Sequence, residues 1–203
     1  MIFNTFQFVW LFPIIFFLVV IIGRRDSLGL KNRKIGNYVL LAVSYLLYMQ
    51  WEPLYVLILL WVTFITYIGA RFIEKTKSGK MPFILFLILA LSPLFFYKYY
   101  DFVIIQLNSL FVSFRERTVL RGLNWALPLG ISFYTLQSVG YLFDVYKQRI
   151  RAERNWWDYM LFVSFFPQIA SGPISKAKDL LPQIKADRQL NYAHIVDGLK
   201  WLL

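Results

Sequence analysis

The sequence predicts an all-α integral membrane protein, a polytopic helical bundle with re-entrant segments, and three observations carry that expectation. Of its 203 residues, 59% are hydrophobic, 20% are aromatic and only 16% are charged, whereas charged residues make up about one quarter of a soluble domain. The apolar residues gather in runs of about 15–18 residues, close to the length that crosses a bilayer. One of these runs, Tyr159–Ser175, takes in Pro167, Gln168, Ser171, Gly172 and Pro173 within seven residues. Proline removes a backbone donor and glycine loosens the helix, and backbone freed at membrane depth survives only against protein or a wet cavity.

In chain order, apolar runs at Phe6–Ile22, Ile35–Trp51, Leu54–Ala70 and Phe83–Tyr97 are expected to span. The first has no basic residue before it and no small-residue cleavage site after it, so it reads as a retained span rather than a signal peptide. A weaker run, Tyr99–Phe114, carries Asp101, Gln106 and Asn108 and is expected to be a fifth span. Segments 126–143 and 159–175 follow, and a stretch from about residue 192 to Leu203 reads as the start of a further helix. The whole chain reads as part of one membrane domain.

The net charge of +11 does not indicate nucleic acid, because 20 of the 22 Lys and Arg fall in five short clusters between apolar runs. Basic loops of that kind orient membrane segments, cytoplasmic side positive, and attract anionic lipid. The rule puts the N-terminus and the Trp51–Pro53 turn outside, and the clusters around Arg24 and Arg71 inside. If both 126–143 and 159–175 spanned, one later cluster would lie on the wrong side; if both dip in and return, all five clusters are cytoplasmic. Two ordinary spans with one violation of the rule stay open as the alternative.

Little catalytic chemistry is visible. There is no cysteine and a single histidine, His194, which is too few ligands for a metal site and, beside Asp197, reads as a surface or interfacial residue. Asp144 is expected to pair with Lys147 three residues on, or else to orient a ligand. Asp158, after Trp156 and Trp157, is expected to cap a helix at the interface. Gln137, Gln168, Ser132 and Ser171 are candidate ligand-binding groups, or bridges between helices. No phosphate loop or nucleophile elbow is present.

The pattern LPLGISF, then Gln137-x-x-x-Tyr141-x-x-Asp144-Val145-Tyr146, a basic loop, and Phe166-Pro167-Gln168-x-x-x-Gly172-Pro173-Ile174 resembles the membrane-bound O-acyltransferase family. The likeness is to its alginate O-acetyltransferase branch, over the N-terminal portion of the family's length. The resemblance implies an enzyme that moves an acyl group from a donor (acetyl-CoA or an acylated carrier) to a hydroxyl of an extracytoplasmic polysaccharide such as alginate or another cell-envelope glycan. It also implies a partner acyltransferase or carrier protein in some branches, no bound cofactor, and a plasma (inner) membrane location. The family's catalytic histidine lies downstream of the second motif and is expected beyond Leu203, so this chain alone is expected to be inactive and His194 takes no role. A substrate-channel or core-lining role is implied for Gln137, Asp144, Pro167, Gln168, Gly172 and Pro173. Lys176 departs from relatives that carry arginine after the Gly-Pro-Ile, keeping the charge without the planar fork. The alternative reading is a non-enzymatic membrane module, a transporter half or an inactive scaffold, since broken helices also build transport sites; no inverted repeat of hydropathy supports it.

Overall fold

A computed structural model describes residues 33–50, 53–76, 79–113, 127–169 and 175–186. The expected first span, Arg24, Arg25 and Lys31 of the first basic cluster, the cluster around Arg115, Ser171, Gly172, Pro173, His194 and the final stretch from residue 192 lie outside the described residues. The described residues form α1 (Arg33–Met49), α2 (Tyr55–Lys75), α3 (Lys80–Ser113), α4 (Ile131–Tyr146), α5 (Trp156–Ser164), α6 (Phe166–Ile169) and α7 (Ala177–Lys185). Two helices, Tyr55–Lys75 and Lys80–Ser109, are long and apolar enough to cross a membrane. Their outward faces carry Leu57, Phe64, Leu85, Ile88, Phe102 and Ile105, all exposed. An apolar exterior over that length suits lipid or another protein surface better than water.

α3 corrects the division of residues 83–114 into two runs. It is one helix of 34 residues, about 50 Å long at 1.5 Å per residue. Lys98, which separated the runs in the sequence, is a good helix former and ends nothing; its ammonium lies 5.6 Å from the Tyr99 ring centroid. The residue that threatens the helix is Pro93, whose missing N–H strips the Leu89 carbonyl of its partner four residues on. Two other donors take that carbonyl: the Trp61 indole N–H of α2 at 3.3 Å and the Ser92 hydroxyl at 3.0 Å. α2 and α3 meet closely at Gly69, where a Cβ would stand 2.6 Å from Phe86 Cγ. Small residues of this kind let apolar helices approach.

The first four helices alternate in direction. Tyr55 near the start of α2 meets Tyr97 of α3, and Tyr48 near the end of α1 meets Tyr134 near the start of α4. At the opposite end, Phe83 of α3 stacks on Tyr146 of α4 at 4.3 Å. That end also gathers the basic side chains Arg71, Lys75, Lys80, Lys147, Arg149 and Arg154 near the relevant helix termini. α4 is unbroken from Ile131 to Tyr146.

The loop between α4 and α5 is fastened from several sides. Glu153, 6% exposed, accepts from the backbone N–H groups of Arg154 and Asn155 and pairs with Lys185 of α7. Its own N–H donates to the Tyr141 hydroxyl at 2.8 Å. Glu74 of α2 accepts from the Ala152 N–H at 3.1 Å and from Arg154 at 3.3 Å. α5 is capped by Asn155 and not, as the sequence suggested, by Asp158: the Asn155 side chain accepts from the Trp157 N–H at 3.1 Å. Asp158 sits in the first turn, where a carboxylate suits the helix dipole, and accepts from the amides of Asn155 at 2.8 Å and Asn37 at 3.2 Å. Asn155→Ala is expected to lower stability by about 1 kcal/mol, read as a lower midpoint of thermal unfolding in detergent.

Candidate functional site

The run Tyr159–Ser175 breaks where polar backbone has to be accommodated. α5 ends at Ser164; Phe165 takes φ −59° and ψ 105°, and α6 runs only from Phe166 to Ile169. An uninterrupted helix would have joined the Phe166 N–H to the Phe162 carbonyl. Both groups are instead met by neighbouring helices. The Gln137 amide of α4 donates to the Phe162 carbonyl at 3.0 Å, and the Phe166 N–H donates to the Ser44 hydroxyl of α1 at 3.3 Å. The Ser164 hydroxyl turns back to the Met160 carbonyl at 2.8 Å. Pro167 sits in the first turn of α6, a position where its missing N–H costs no intrahelical bond.

Two further contacts shape the segment. Asn37, buried on α1, donates to Asp158 at 3.2 Å and to the Ile184 carbonyl at 3.1 Å, so the start of α5 and the end of α7 meet at one level of α1. Farther in, the Gln168 amide donates to the Ser175 hydroxyl at 2.6 Å. α5 and α6 thus lead inward, and α7 leads back to the level they started from. At the inner end the Ile169 carbonyl lies against Gly130, which has φ 70°, just ahead of α4; a Cβ there would fall 1.9 Å from that oxygen. Only glycine accommodates both the positive φ and the approach.

Around the break the buried polar groups are uncharged. The Thr135 hydroxyl and Gln168 Oε1 are buried without a hydrogen-bond partner, the hydroxyls of Tyr134 and Ser138 on α4 and of Tyr45 on α1 are buried beside other hydroxyls, and Tyr159 donates to Thr66 at 2.7 Å. Neutral hydroxyls and amides of this kind can hold or orient a ligand, and they cannot remove a proton from an alcohol near neutral pH. Among the described residues no group of three His, Cys, Asp or Glu could hold a metal ion.

Gln137 meets the Phe162 carbonyl just before the break, Pro167 and Gln168 lie in the short helix just after it, and Asp144 lies apart from both. Asp144 lies near the other end of α4 and pairs with Arg149 at 3.3 Å, not with Lys147. The chain after α4 turns back at Gln148, which has φ 57°, and that carries Arg149 to the carboxylate. The Lys147 ammonium lies 5.6 Å from the centroids of both the Phe143 and Tyr146 rings. Because the Arg149 side chain is 64% exposed, Arg149→Ala is expected to change stability by less than about 1 kcal/mol, with an unfolding midpoint within a few degrees of the parent. Ser132 is half-buried in the first turn of α4. Sequence reasoning missed Asn37, Ser44 and Tyr45, although each interrupts an apolar run as Gln137 does.

The fold and site together define a helical protein with two membrane-length helices and a broken helix braced by side-chain amides and hydroxyls. No family model and no solved structure matches the chain. Curated relatives do. Over 90% of its length the chain is 34% identical to "Probable alginate O-acetylase AlgI" of Pseudomonas aeruginosa, covering 34% of that protein. Over 98% of its length it is 33% identical to "Peptidoglycan O-acetyltransferase" of Helicobacter pylori, covering 42% of it. A second "Probable alginate O-acetylase AlgI", from Pseudomonas putida, is 32% identical over 97% of the chain, which covers 39% of that relative. Nearly the whole chain is therefore similar to bacterial proteins named as O-acetylases or O-acetyltransferases, as its motifs suggested, and it spans between a third and somewhat over two fifths of those relatives' length.

Proposed function

We propose that this chain is part of a membrane O-acetyltransferase that transfers an acetyl group from a cytoplasmic-side donor to hydroxyls of an extracytoplasmic polysaccharide, alginate or another cell-envelope glycan. The observation that carries the reading is similarity along nearly the whole chain to relatives named for O-acetylation of alginate and of peptidoglycan. The donor is acetyl-CoA or an acylated carrier, and a partner acyltransferase or carrier protein is part of the proposal.

In this reading the braced break at Phe165 forms part of the wall of a narrow passage in which donor and acceptor meet. A hydroxyl needs a base to take its proton as it attacks an acyl carbonyl, and the neutral groups at the break supply none. The base is assigned to the part of the relatives' length that this chain does not cover.

The proposed topology sets the protein in the inner membrane with its N-terminus outside. α1 to α4 cross, and α5 to α7 form a re-entrant hairpin that opens and closes at Asn37. The continuity of α3 and the antiparallel fit of α4 support a crossing by α4 where the charge rule suggested a dip; the cluster that follows α3 is then the exception to the rule. The meeting of Asp158 and Ile184 at Asn37 supports the hairpin. The test in cells is deletion of the gene, followed by mass spectrometry of the envelope glycans. Loss of alkali-labile acetyl groups is expected; glycans with unchanged acetylation contradict the proposal.

A further inference from the structure

At the basic end of the bundle an open cleft of about 540 Å³ lies between the last turns of α2 and the strand of chain leading into α5. Tyr67, Arg71 and Lys75 follow one another at four-residue spacing along α2, and Arg154 stands on the opposite wall. Three cations face a single carboxylate, Glu74, which is already engaged with the Ala152 N–H and with Arg154. The cleft therefore keeps an excess of positive charge. Arg71 is held in place: its guanidinium carbon lies 5.6 Å from the Tyr67 ring centroid, and one of its terminal nitrogens is 3.4 Å from the Tyr67 hydroxyl. A guanidinium settled on an aromatic face offers its planar fork with little left to order, which suits the oxygens of a phosphate. Beside it on α2, Ile68 and Phe72, 38% and 49% exposed, line the same cleft.

We propose that this cleft binds an anionic phospholipid, with Arg71, Lys75 and Arg154 on the phosphate headgroup and Ile68 and Phe72 against the first part of an acyl chain. Basic pockets beside membrane helices on the cytoplasmic side recognise anionic headgroups in this way. An apolar wall next to the cations favours a lipid over a free phosphate, which has nothing to place there. The inference rests on the membrane topology proposed above, and α2 supplies the site by itself in all but Arg154.

The test uses the full chain in neutral-detergent micelles, titrated with phosphatidylglycerol or with phosphatidylcholine, with bound lipid read by native mass spectrometry. Retention of phosphatidylglycerol at least ten-fold above phosphatidylcholine is expected, and the double substitution Arg71→Gln, Lys75→Gln is expected to lower it at least five-fold. Arg71→Lys, which keeps the charge and loses the fork, is expected to fall between. Should the double variant lose its helical circular dichroism, Lys75→Gln alone, at an exposed position, is expected to lower retention at least two-fold. Equal retention of the two lipids, or retention that these substitutions leave unchanged, would overturn the proposal. Displacement of the lipid by an equal concentration of inorganic phosphate or pyrophosphate would also overturn it, since the cleft would then read a soluble phosphate. Carbonate extraction of vesicles tests the membrane reading separately: a carbonate-resistant chain with no lipid preference loses only the cleft.

Discussion

Gly130→Ala is expected to remove most of the folded protein from a detergent extract, the largest effect of any single methyl group in the described structure. Gly130 has φ 70°, where a side chain costs about 1–2 kcal/mol. The added Cβ would also stand 1.9 Å from the Ile169 carbonyl oxygen, a backbone atom that no rotamer change can move. Relief requires α6 to shift against the start of α4, and with it the bonds of the Phe162 carbonyl and the Phe166 N–H. Together these put the loss at about 3 kcal/mol or more. Gly140→Ala is the control: it lies inside the helix that Gly130 precedes, with nothing within 4 Å of an added Cβ, and alanine there is expected to be neutral or to stabilise by up to about 1 kcal/mol. Size-exclusion yield and thermal unfolding of the two variants side by side check the contrast. Equal behaviour would mean that α6 does not lie against Gly130.

Gln137→Leu ranks second. The substitution keeps most of the side-chain volume and removes the amide that meets the Phe162 carbonyl. A buried acceptor left without a partner costs about 1–3 kcal/mol. Ser44→Ala removes the acceptor of the Phe166 N–H from the other side of the same break and is expected to cost a similar amount. Because both bonds stabilise one local geometry, the double variant should lose less than the two single losses added together. Thermal unfolding of the four proteins in one detergent measures this. Strict additivity would show that the two contacts act independently and that the break does not depend on them jointly.

How much of this was legible in the sequence depends on where each cause lies. The helical, strongly apolar character was legible because it follows from composition and run length, and an interruption close to Pro167 because proline acts locally. The continuity of α3 was not, since Lys98 resembles a boundary in a hydropathy pattern yet has no effect on backbone geometry, while the carbonyl that Pro93 frees is taken by Ser92 and by Trp61, the latter 32 positions before the proline. Gln137 stood out as a polar residue in an apolar run. Its partner could not be read, because that partner is a backbone carbonyl 25 residues away, freed by the break that follows it. Asp144 was read as an ion-pairing residue, and the positive φ at Gln148 that selects Arg149 over Lys147 leaves no mark in side-chain spacing. Asn155 and Asp158 both suit a cap; the structure chose the one just ahead of the first helical residue.

The most direct test of the account is acetyl transfer in membrane vesicles supplied with a labelled acetyl donor and a polysaccharide acceptor. It compares this chain with a version carrying, beyond Leu203, the further length its relatives have. The account predicts alkali-labile label on the acceptor with the longer protein and none with the 203-residue chain. Transfer by the 203-residue chain itself, abolished by His194→Ala, would contradict the assignment of the base, and no transfer by either protein would contradict the proposed function.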